Sequence, residues 1–342
     1  LQPAQHKNYK EHRMRADPPI RLLSERDVRA IGLSLAETIA LIEQVYLLDA
    51  QGGVEVPMKI GVHPLEPDNI LHAMPAWIEG ARALGMKWVS YFPGNARRGL
   101  ADYSGIIILN DPDSGLPLCI LEGMHVTFMR TAACATVAAR HILPAAPRSL
   151  GLIGCGRLAR WTLRMMLCAF PAIERVLVAS RTPGSRESFC AEMQSESSAP
   201  LTAALDVRSA IEGVDVVVSS IPPSAERPVR AEWLSPGSLF IPLDILNSWR
   251  DEVLSIVSRV VSDDPANFRS RLQSKRPNAL AAIKSSVALQ AVLAGSAAKS
   301  GPTERSFVVI CGIASTDVIV ASEIYRRACA ANLGEMFALR PG

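Results

Sequence analysis

The run Gly154-Cys155-Gly156-Arg157-Leu158-Ala159 lies between an apolar stretch over residues 150–153 and a helical pattern over residues 157–169. In a Gly-x-Gly-x-x-Ala run the first glycine permits a tight turn and the second lets backbone approach a pyrophosphate at the helix N-terminus. The small final residue lets helix and strand pack closely. The pattern therefore predicts a dinucleotide site. The next apolar strand, residues 175–179, runs into Ser180-Arg181-Thr182, with Arg186 close behind and no carboxylate to take a ribose 2′-hydroxyl. Hydroxyl and guanidinium groups suit a 2′-phosphate through charge-assisted hydrogen bonds, which favours NADP(H) over NAD(H). The alternative is that Arg181 is a solvated loop residue stacking on adenine.

A second group of residues is cationic and sits in apolar surroundings: Lys59 beside Pro57 and Met58, Lys87 between Met86 and Trp88, and Arg130 at the start of an alanine-rich helix. A lysine in such a strand is either an edge residue with its ammonium in water or a buried group with a partner. In the second case these cations would pair with a substrate carboxylate, the arginine in bidentate geometry. Asp244 follows the apolar run Phe240-Ile241-Pro242-Leu243, where a site carboxylate emerges from an open α/β sheet. It could equally cap the following turn.

The elements that must position these groups fall into two patterns. Residues 20–23 predict a short strand, and Ser34 with Glu37 forms a capping-box pattern that opens a helix with Ile39, Ile42, Val45 and Tyr46 on one face. Strands are expected over residues 56–62, 70–74, 83–91, 105–109 and 116–121, then a helix over 127–142 that ends before Pro144 and Pro147. Beyond that proline pair the pattern becomes strand, helix, strand, helix, strand, which is the signature of a parallel sheet with right-handed crossovers. Strands at 239–243 and 257–262 continue it, and residues 307–311 are expected to lead out of it. The serine- and alanine-rich residues 195–204 predict a loop, and the final helix, 316–331, has no place in the sheet and is expected to return to the first region.

The fold class expected is therefore α/β: a Rossmann doubly wound parallel sheet over residues 146–314, and an α+β substrate-binding and dimerisation domain over 20–145 plus 315–342, preceded by a disordered polar arm at 1–19. At 342 residues, 49% hydrophobic and 20% charged, the chain suits two buried cores. A net charge of +3 argues against nucleic-acid binding. The seven cysteines show no Cys-x-x-Cys pair and the six histidines no ligand spacing, so packed thiols and no metal are expected. The first 19 residues lack an apolar signal segment, and the apolar stretch 279–298 is interrupted by Lys284 and Gln290. A soluble cytoplasmic protein without a membrane span is expected.

Several segments together resemble the ornithine cyclodeaminase and mu-crystallin family of nicotinamide-dependent proteins. They are His72-Ala73-Met74-Pro75-Ala76, Gly85-Met86-Lys87-Trp88-Val89-Ser90, Pro93-Gly94-Asn95 with Gly99-Leu100, Leu109-Asn110-Asp111 with Ser114-Gly115-Leu116-Pro117, Arg130-Thr131-Ala132-Ala133, and the glycine run. Within the family the chain looks closest to the N-(2-amino-2-carboxyethyl)-L-glutamate dehydrogenase branch, through Ile107-Ile108-Leu109-Asn110-Asp111-Pro112 and Ile153-Gly154-Cys155-Gly156.

The resemblance implies that Lys59, Lys87 and Arg130 surround the substrate carboxylate and that Thr131 lies near the cofactor phosphates. It also implies that Asp244 is the acid/base carboxylate, with Lys87 assisting, and that the protein is a homodimer joined through its first domain. Three positions depart from the family pattern: His72 replaces a glutamate that recognises a distal amine, Lys59 replaces an arginine, and Ile245-Leu246-Asn247-Ser248-Trp249 replaces Pro-Gly-Lys. Ornithine is therefore disfavoured as substrate, and His72 is either a structural histidine or a contact to the substrate side chain. The activity implied is NAD(P)-dependent hydride exchange at the C–N bond of an α-amino or imino acid. The alternatives are cyclodeamination with catalytic NAD, or a ligand-binding protein of mu-crystallin type without turnover.

Overall fold

The computed structural model describes residues 18–222, 226–283 and 285–339, so all but Pro18 and Pro19 of the expected N-terminal arm lies outside the described residues. The chain opens with β1 (Ile20–Leu23), α1 (Glu25–Ile31) and α2 (Leu35–Ala50), then β2 (Val54–Glu55), β3 (Ile60–Val62), β4 (Ile70–Ile78), β5 (Ala83–Tyr91), β6 (Tyr103–Asn110), β7 (Pro117–Glu122) and α3 (Gly123–Ile142). The capping box at α2 is present: Ser34 Oγ accepts from the Glu37 amide, and the Glu37 carboxylate accepts from the Ser34 amide at 2.9 Å. The strand expected over 56–62 is shorter, because residues 56–59 leave the sheet and only Ile60–Val62 pairs with β4.

The second set comprises β8 (Ser149–Ile153), α4 (Arg157–Ala169), β9 (Arg175–Ala179), α5 (Pro183–Met193), β10 (Leu201–Ala203), β11 (Val216–Ser219) and β12 (Leu239–Pro242). It continues through α6 (Val253–Ile256), β13 (Arg259–Ser262), α7 (Pro265–Lys275), α8 (Pro277–Ala281), β14 (Ser286–Ala288), α9 (Leu289–Leu293) and β15 (Ser306–Val309). The chain then returns through α10 (Ala314–Ala330) and β16 (Glu335–Phe337).

Two sheets result. The first has the order β16-β1-β7-β6-β5-β4-β2 with β3 also on β4, and is antiparallel except where β1 meets β7. The second has the order β10-β9-β8-β11-β12-β15-β13-β14, with every pairing parallel. Every residue of β8, β11, β12 and β15 is buried, as a parallel sheet covered on both faces requires. The chain is thus an α/β protein with a Rossmann doubly wound sheet.

Two strand expectations need correction. Residues 201–203 do not loop but form the edge strand β10, because backbone pairing with β9 overrides a composition poor in strand formers. Residues 306–309 do not lead out of the sheet; β15 inserts between β12 and β13, a crossover that local sequence cannot reveal. Helix α10 packs against β4, β5 and β6 of the first sheet. Helix α3 lies between the two sheets: Ala132, Ala133, Ala135, Ala138 and Ala139 are fully buried, and these small side chains let α2, α4 and α10 approach it. Among the described residues no single helix is long and apolar enough to cross a membrane.

Candidate active site between the two sheets

Lys87 on β5 is buried at 2% exposure, so the edge-strand reading is excluded. Its ammonium donates to Asp317 Oδ2 at 2.7 Å, and Arg130 Nε on α3 donates to Asp317 Oδ1 at 2.9 Å. Asp317, in the first turn of α10, has no solvent exposure and joins two cations that are far apart in sequence. Burial alone would raise its carboxyl, but Arg130 and Lys87 outweigh that and hold it below the ordinary carboxylate range. Burial, followed by the Arg130 charge, brings the Lys87 ammonium down to about 7. Asp317 uses one ammonium hydrogen and the Nε hydrogen, which leaves both terminal nitrogens of Arg130 and two ammonium hydrogens for an incoming carboxylate.

Lys59 reaches the second sheet and donates to the Cys311 carbonyl at 2.6 Å. The same loop is gripped from below by Asp263, which follows β13 and accepts from the Cys311 amide at 2.6 Å and the Gly312 amide at 2.9 Å. Burial pushes Asp263 up to about 6 and pulls Lys59 below its usual value. His72 on β4 lies over Gly61; burial and then the Lys59 charge depress it to about 4, so it is neutral at physiological pH. Gly312 has φ +76°, and an added Cβ would lie 2.9 Å from Arg130 Nη1. Gly312→Ala therefore combines left-handed strain of about 1–2 kcal/mol with a displaced guanidinium. If Arg130 binds a substrate carboxylate as the resemblance implies, the KM for that substrate rises tenfold or more in initial-rate measurements, with cofactor affinity little changed.

Asp244 follows β12 and is 7% exposed. Ser248 donates to its Oδ2, so the aspartate does organise the following turn, while Oδ1 is buried and has no hydrogen-bond partner among the described residues. Burial pushes the carboxyl up to about 6 against the pull of the Ser248 and Ser219 hydroxyls. The turn is strained: Ile245 and Leu246 have φ of +50° and +68°. Each costs on the order of 1–3 kcal/mol and persists only where neighbours over-determine it. Arg276 supplies that constraint, donating to the carbonyls of Leu246 and Trp249, each at 2.8 Å, and pairing with Asp251. The Trp249 indole donates to Ser219 Oγ at 2.7 Å and packs edge-on to Phe307, with ring centroids 4.8 Å apart.

The glycine run fits a dinucleotide phosphate group. Gly154 has φ +120°, and a Cβ there would lie 2.8 Å from the Ser220 carbonyl oxygen. Gly156 caps α4 with no side chain, and a Cβ there would meet only open space, so the helix amides face a gap. Ala159 is buried and Leu158 half-buried. Cys155 is held by an Arg160 bond to its carbonyl at 2.5 Å. The Arg157 side chain turns to Glu25 at 2.9 Å and lies over the Phe128 ring, so only its backbone faces the phosphate position.

Thr131 is half-buried on α3, which packs against α4. After β9, Ser180 Oγ bonds the Thr182 carbonyl, Thr182 Oγ1 meets Ser185 Oγ, and Arg186 donates to the Ser180 and Leu205 carbonyls. Arg186 thus braces the loop. Arg181 is exposed, and no hydrogen bond ties it to another described residue.

Sheet order brings these parts to one edge. β8, β11, β12 and β15 are neighbours, and the segments leaving their C-terminal ends carry, in that spatial order, the Gly154 turn, Ser219 and Ser220, Asp244, and the Cys311-Gly312 loop under Arg130. Asp317, Asp263 and Arg276 were not among the residues the sequence singled out. The one available signal was charge inside apolar runs, as in Thr316-Asp317-Val318.

Fold and edge together define a protein of the Rossmann type, with a second, mostly antiparallel sheet whose buried Lys87 joins Arg130 at Asp317 beside the Cys311-Gly312 loop. The sequence profile of the ornithine cyclodeaminase/mu-crystallin family matches residues 21–331, and the chain belongs to that family. It is 30% identical to nodulation efficiency protein NfeD of Rhizobium meliloti over 90% of this chain and 95% of that protein. It is 31% identical to N-((2S)-2-amino-2-carboxyethyl)-L-glutamate dehydrogenase of Staphylococcus aureus over 58% of this chain and 59% of that one. Among solved structures, Thermococcus litoralis Delta(1)-pyrroline-2-carboxylate reductase in complex with NADH and L-proline superposes with a TM-score of 0.81 at 25% identity, covering 92% and 99% of the two chains. An archaeal alanine dehydrogenase dimer with bound NAD gives 0.81 at 25% identity, covering 94% and 100%.

Proposed function

We propose that the protein is an NAD(P)-dependent oxidoreductase that exchanges hydride at the C–N bond of an α-amino or imino acid, as an imine reductase or amino-acid dehydrogenase. The observation that carries this reading is the single sheet edge on which the glycine turn, Asp244 and the loop beneath Arg130 stand side by side. Residues 20–145 plus 315–342 form the substrate-binding and dimerisation unit, and residues 146–314 the dinucleotide-binding unit.

The backbone at Gly154, Cys155 and Gly156, the first turn of α4 from Arg157 to Ala159, and Thr131 would hold the cofactor phosphates. The bound nicotinamide supplies or accepts hydride at the substrate Cα. Arg130 and Lys87 hold the α-carboxylate, and Lys59 keeps the Cys311-Gly312 loop against them. Fixing the carboxylate fixes the Cα and leaves the nitrogen to face the acid/base group. In reduction Asp244 gives its proton to the imine nitrogen; in oxidation it takes one from the amine. Steady change in NAD(P)H absorbance with an α-imino or amino acid supports this reading, whereas turnover with no net change identifies cyclodeamination.

The cofactor preference proposed is NADP(H), supported by the absence of a carboxylate after β9 and by the free Arg181 beside Ser180 and Thr182. A charged hydrogen bond of about 1.5–3 kcal/mol corresponds to a preference of roughly tenfold to a hundredfold. Arg181→Asp is expected to reverse it in paired NADPH and NADH titrations; an unchanged ratio contradicts the assignment. The first sheet leaves Ile60, Val62, Trp88 and Ile106 on one outer face, 39–68% exposed. This supports a homodimer through that face, testable by light scattering. The partner expected is a small-molecule acid in the cytoplasm, with no membrane or nucleic acid involved.

A further inference from the structure

Asp244 precedes a stretch of backbone that the residues in it disfavour. Ile245 and Leu246 are both left-handed, and a β-branched residue such as Ile245 avoids that region strongly. Leu246 is buried in the apolar cluster that also holds Trp249, and Ile245 packs against the same cluster. Without a restraint the two residues would relax, and the Asp244 carboxyl would move with them.

The restraint comes from one side chain. Arg276 stands where α7 ends and α8 begins, with its backbone capping both helices and its side chain 9% exposed. Phe268, Leu272 and Ala279 anchor the two helices in the cluster that holds Leu246 and Trp249, so the guanidinium is carried on a fixed mount. Nη1 donates to the Leu246 carbonyl and Nη2 to the Trp249 carbonyl, each at 2.8 Å, while Nε donates to Asp251 at 2.7 Å. Between those carbonyls lies Ser248, whose hydroxyl donates to Asp244 Oδ2 and whose carbonyl accepts from the Val229 amide at 2.9 Å. One planar fork therefore holds both ends of the turn, a geometry that the single nitrogen of a lysine cannot reproduce. The turn is also the segment that departs from the family pattern, so this brace belongs to the chain's own sequence.

Resting on the proposed oxidoreductase reading, in which Asp244 exchanges the proton, we infer that Arg276 is a positioning residue for that step. Its fork holds residues 245–249 in the strained turn that keeps the Asp244 carboxyl buried, with Oδ2 taken by Ser248 and Oδ1 left for the reacting nitrogen. Arg276 acts through the turn and not on the substrate.

The placement is tested by carbon-13 NMR of protein labelled at its aspartate side-chain carboxyls, with Asp244 assigned by its loss in Asp244→Asn. This measurement needs no substrate. Arg276→Lys keeps the charge and removes the fork, so the turn relaxes and water reaches the carboxyl. The Asp244 titration is expected to move from about 6 down toward the ordinary 3.8. Turnover is read as NADPH oxidation with whichever of pyruvate, glyoxylate and 2-oxoglutarate the wild type reduces fastest in the presence of ammonium. There kcat is expected to fall about 10- to 100-fold with KM unchanged, the cost of a misplaced reacting group. Glycine takes left-handed backbone without strain, so in an Ile245→Gly background Arg276→Lys is expected to change kcat by no more than about threefold. That comparison also decides the matter if Arg276→Lys alone does not fold, and a tenfold loss in it overturns the inference. An Asp244 titration that stays in place in Arg276→Lys, with kcat falling only as the folded fraction falls, shows a purely structural brace and leaves the oxidoreductase reading standing. A titration that moves with no loss of kcat, or turnover that survives Asp244→Asn, overturns the proton role of Asp244 and the positioning role with it.

Discussion

Asp244→Asn is expected to lower kcat by about 100- to 10,000-fold, the range for loss of a positioned acid/base group, with a much smaller change in KM. The substitution keeps shape and an acceptor for Ser248 but cannot exchange the proton. The pH dependence gives the sign. With the carboxyl raised to about 6, reduction needs its protonated form and loses rate as pH rises through about 6, whereas oxidation needs the ionised form and gains rate over the same interval. Both limbs should vanish in Asp244→Asn.

Stability should move the other way. A carboxyl whose folded pKa lies above its unfolded value of 3.8 weakens the fold as pH rises from about 4 to 6. Removing the charge is therefore expected to raise the Tm at pH 8, which separates lost chemistry from lost structure. A variant that keeps wild-type turnover contradicts the proton role.

Asp317→Ala is expected to destabilise the protein by roughly 3–5 kcal/mol, because it leaves Lys87 and Arg130 buried without their shared counter-charge. In thermal unfolding this appears as a fall in Tm of about 5–15 °C. The milder Asp317→Asn separates folding from function. Without the carboxylate the Lys87 pKa falls further below about 7, so the charged fraction that remains at pH 7.5 is lost and the lysine holds a carboxylate less well. The expected signature is a KM for substrate raised tenfold or more and an acidic shift of its pH profile, with cofactor binding intact. A KM that stays at the wild-type value would show that Asp317 has only a packing role.

Much of this arrangement was legible from local pattern. The Ser34 capping box, the all-apolar strands of the parallel sheet and the glycine run each carry their signal within a few residues, and each appears where that signal placed it. What stayed hidden depends on pairing across long stretches of chain. Asp317 meets Lys87 and Arg130 over separations of 230 and 187 residues, and nothing near Thr316 marks the aspartate as their partner. The insertion of β15 beside β12, which carries the Cys311-Gly312 loop to Arg130, is likewise a tertiary event. Arg276 was invisible for a different reason: its role exists only because Ile245 and Leu246 adopt left-handed backbone that their side chains disfavour.

The proposed placement of substrate against cofactor is tested most directly by a crystal structure of the protein with NADP(H) and a bound amino acid. The expected structure has the α-carboxylate hydrogen-bonded to Arg130 and Lys87, the amino nitrogen within reach of Asp244, and the Cα about 3–3.5 Å from nicotinamide C4. An amino acid bound with its carboxylate away from Arg130 and Lys87, or a nicotinamide ring lying away from Asp244, would contradict it.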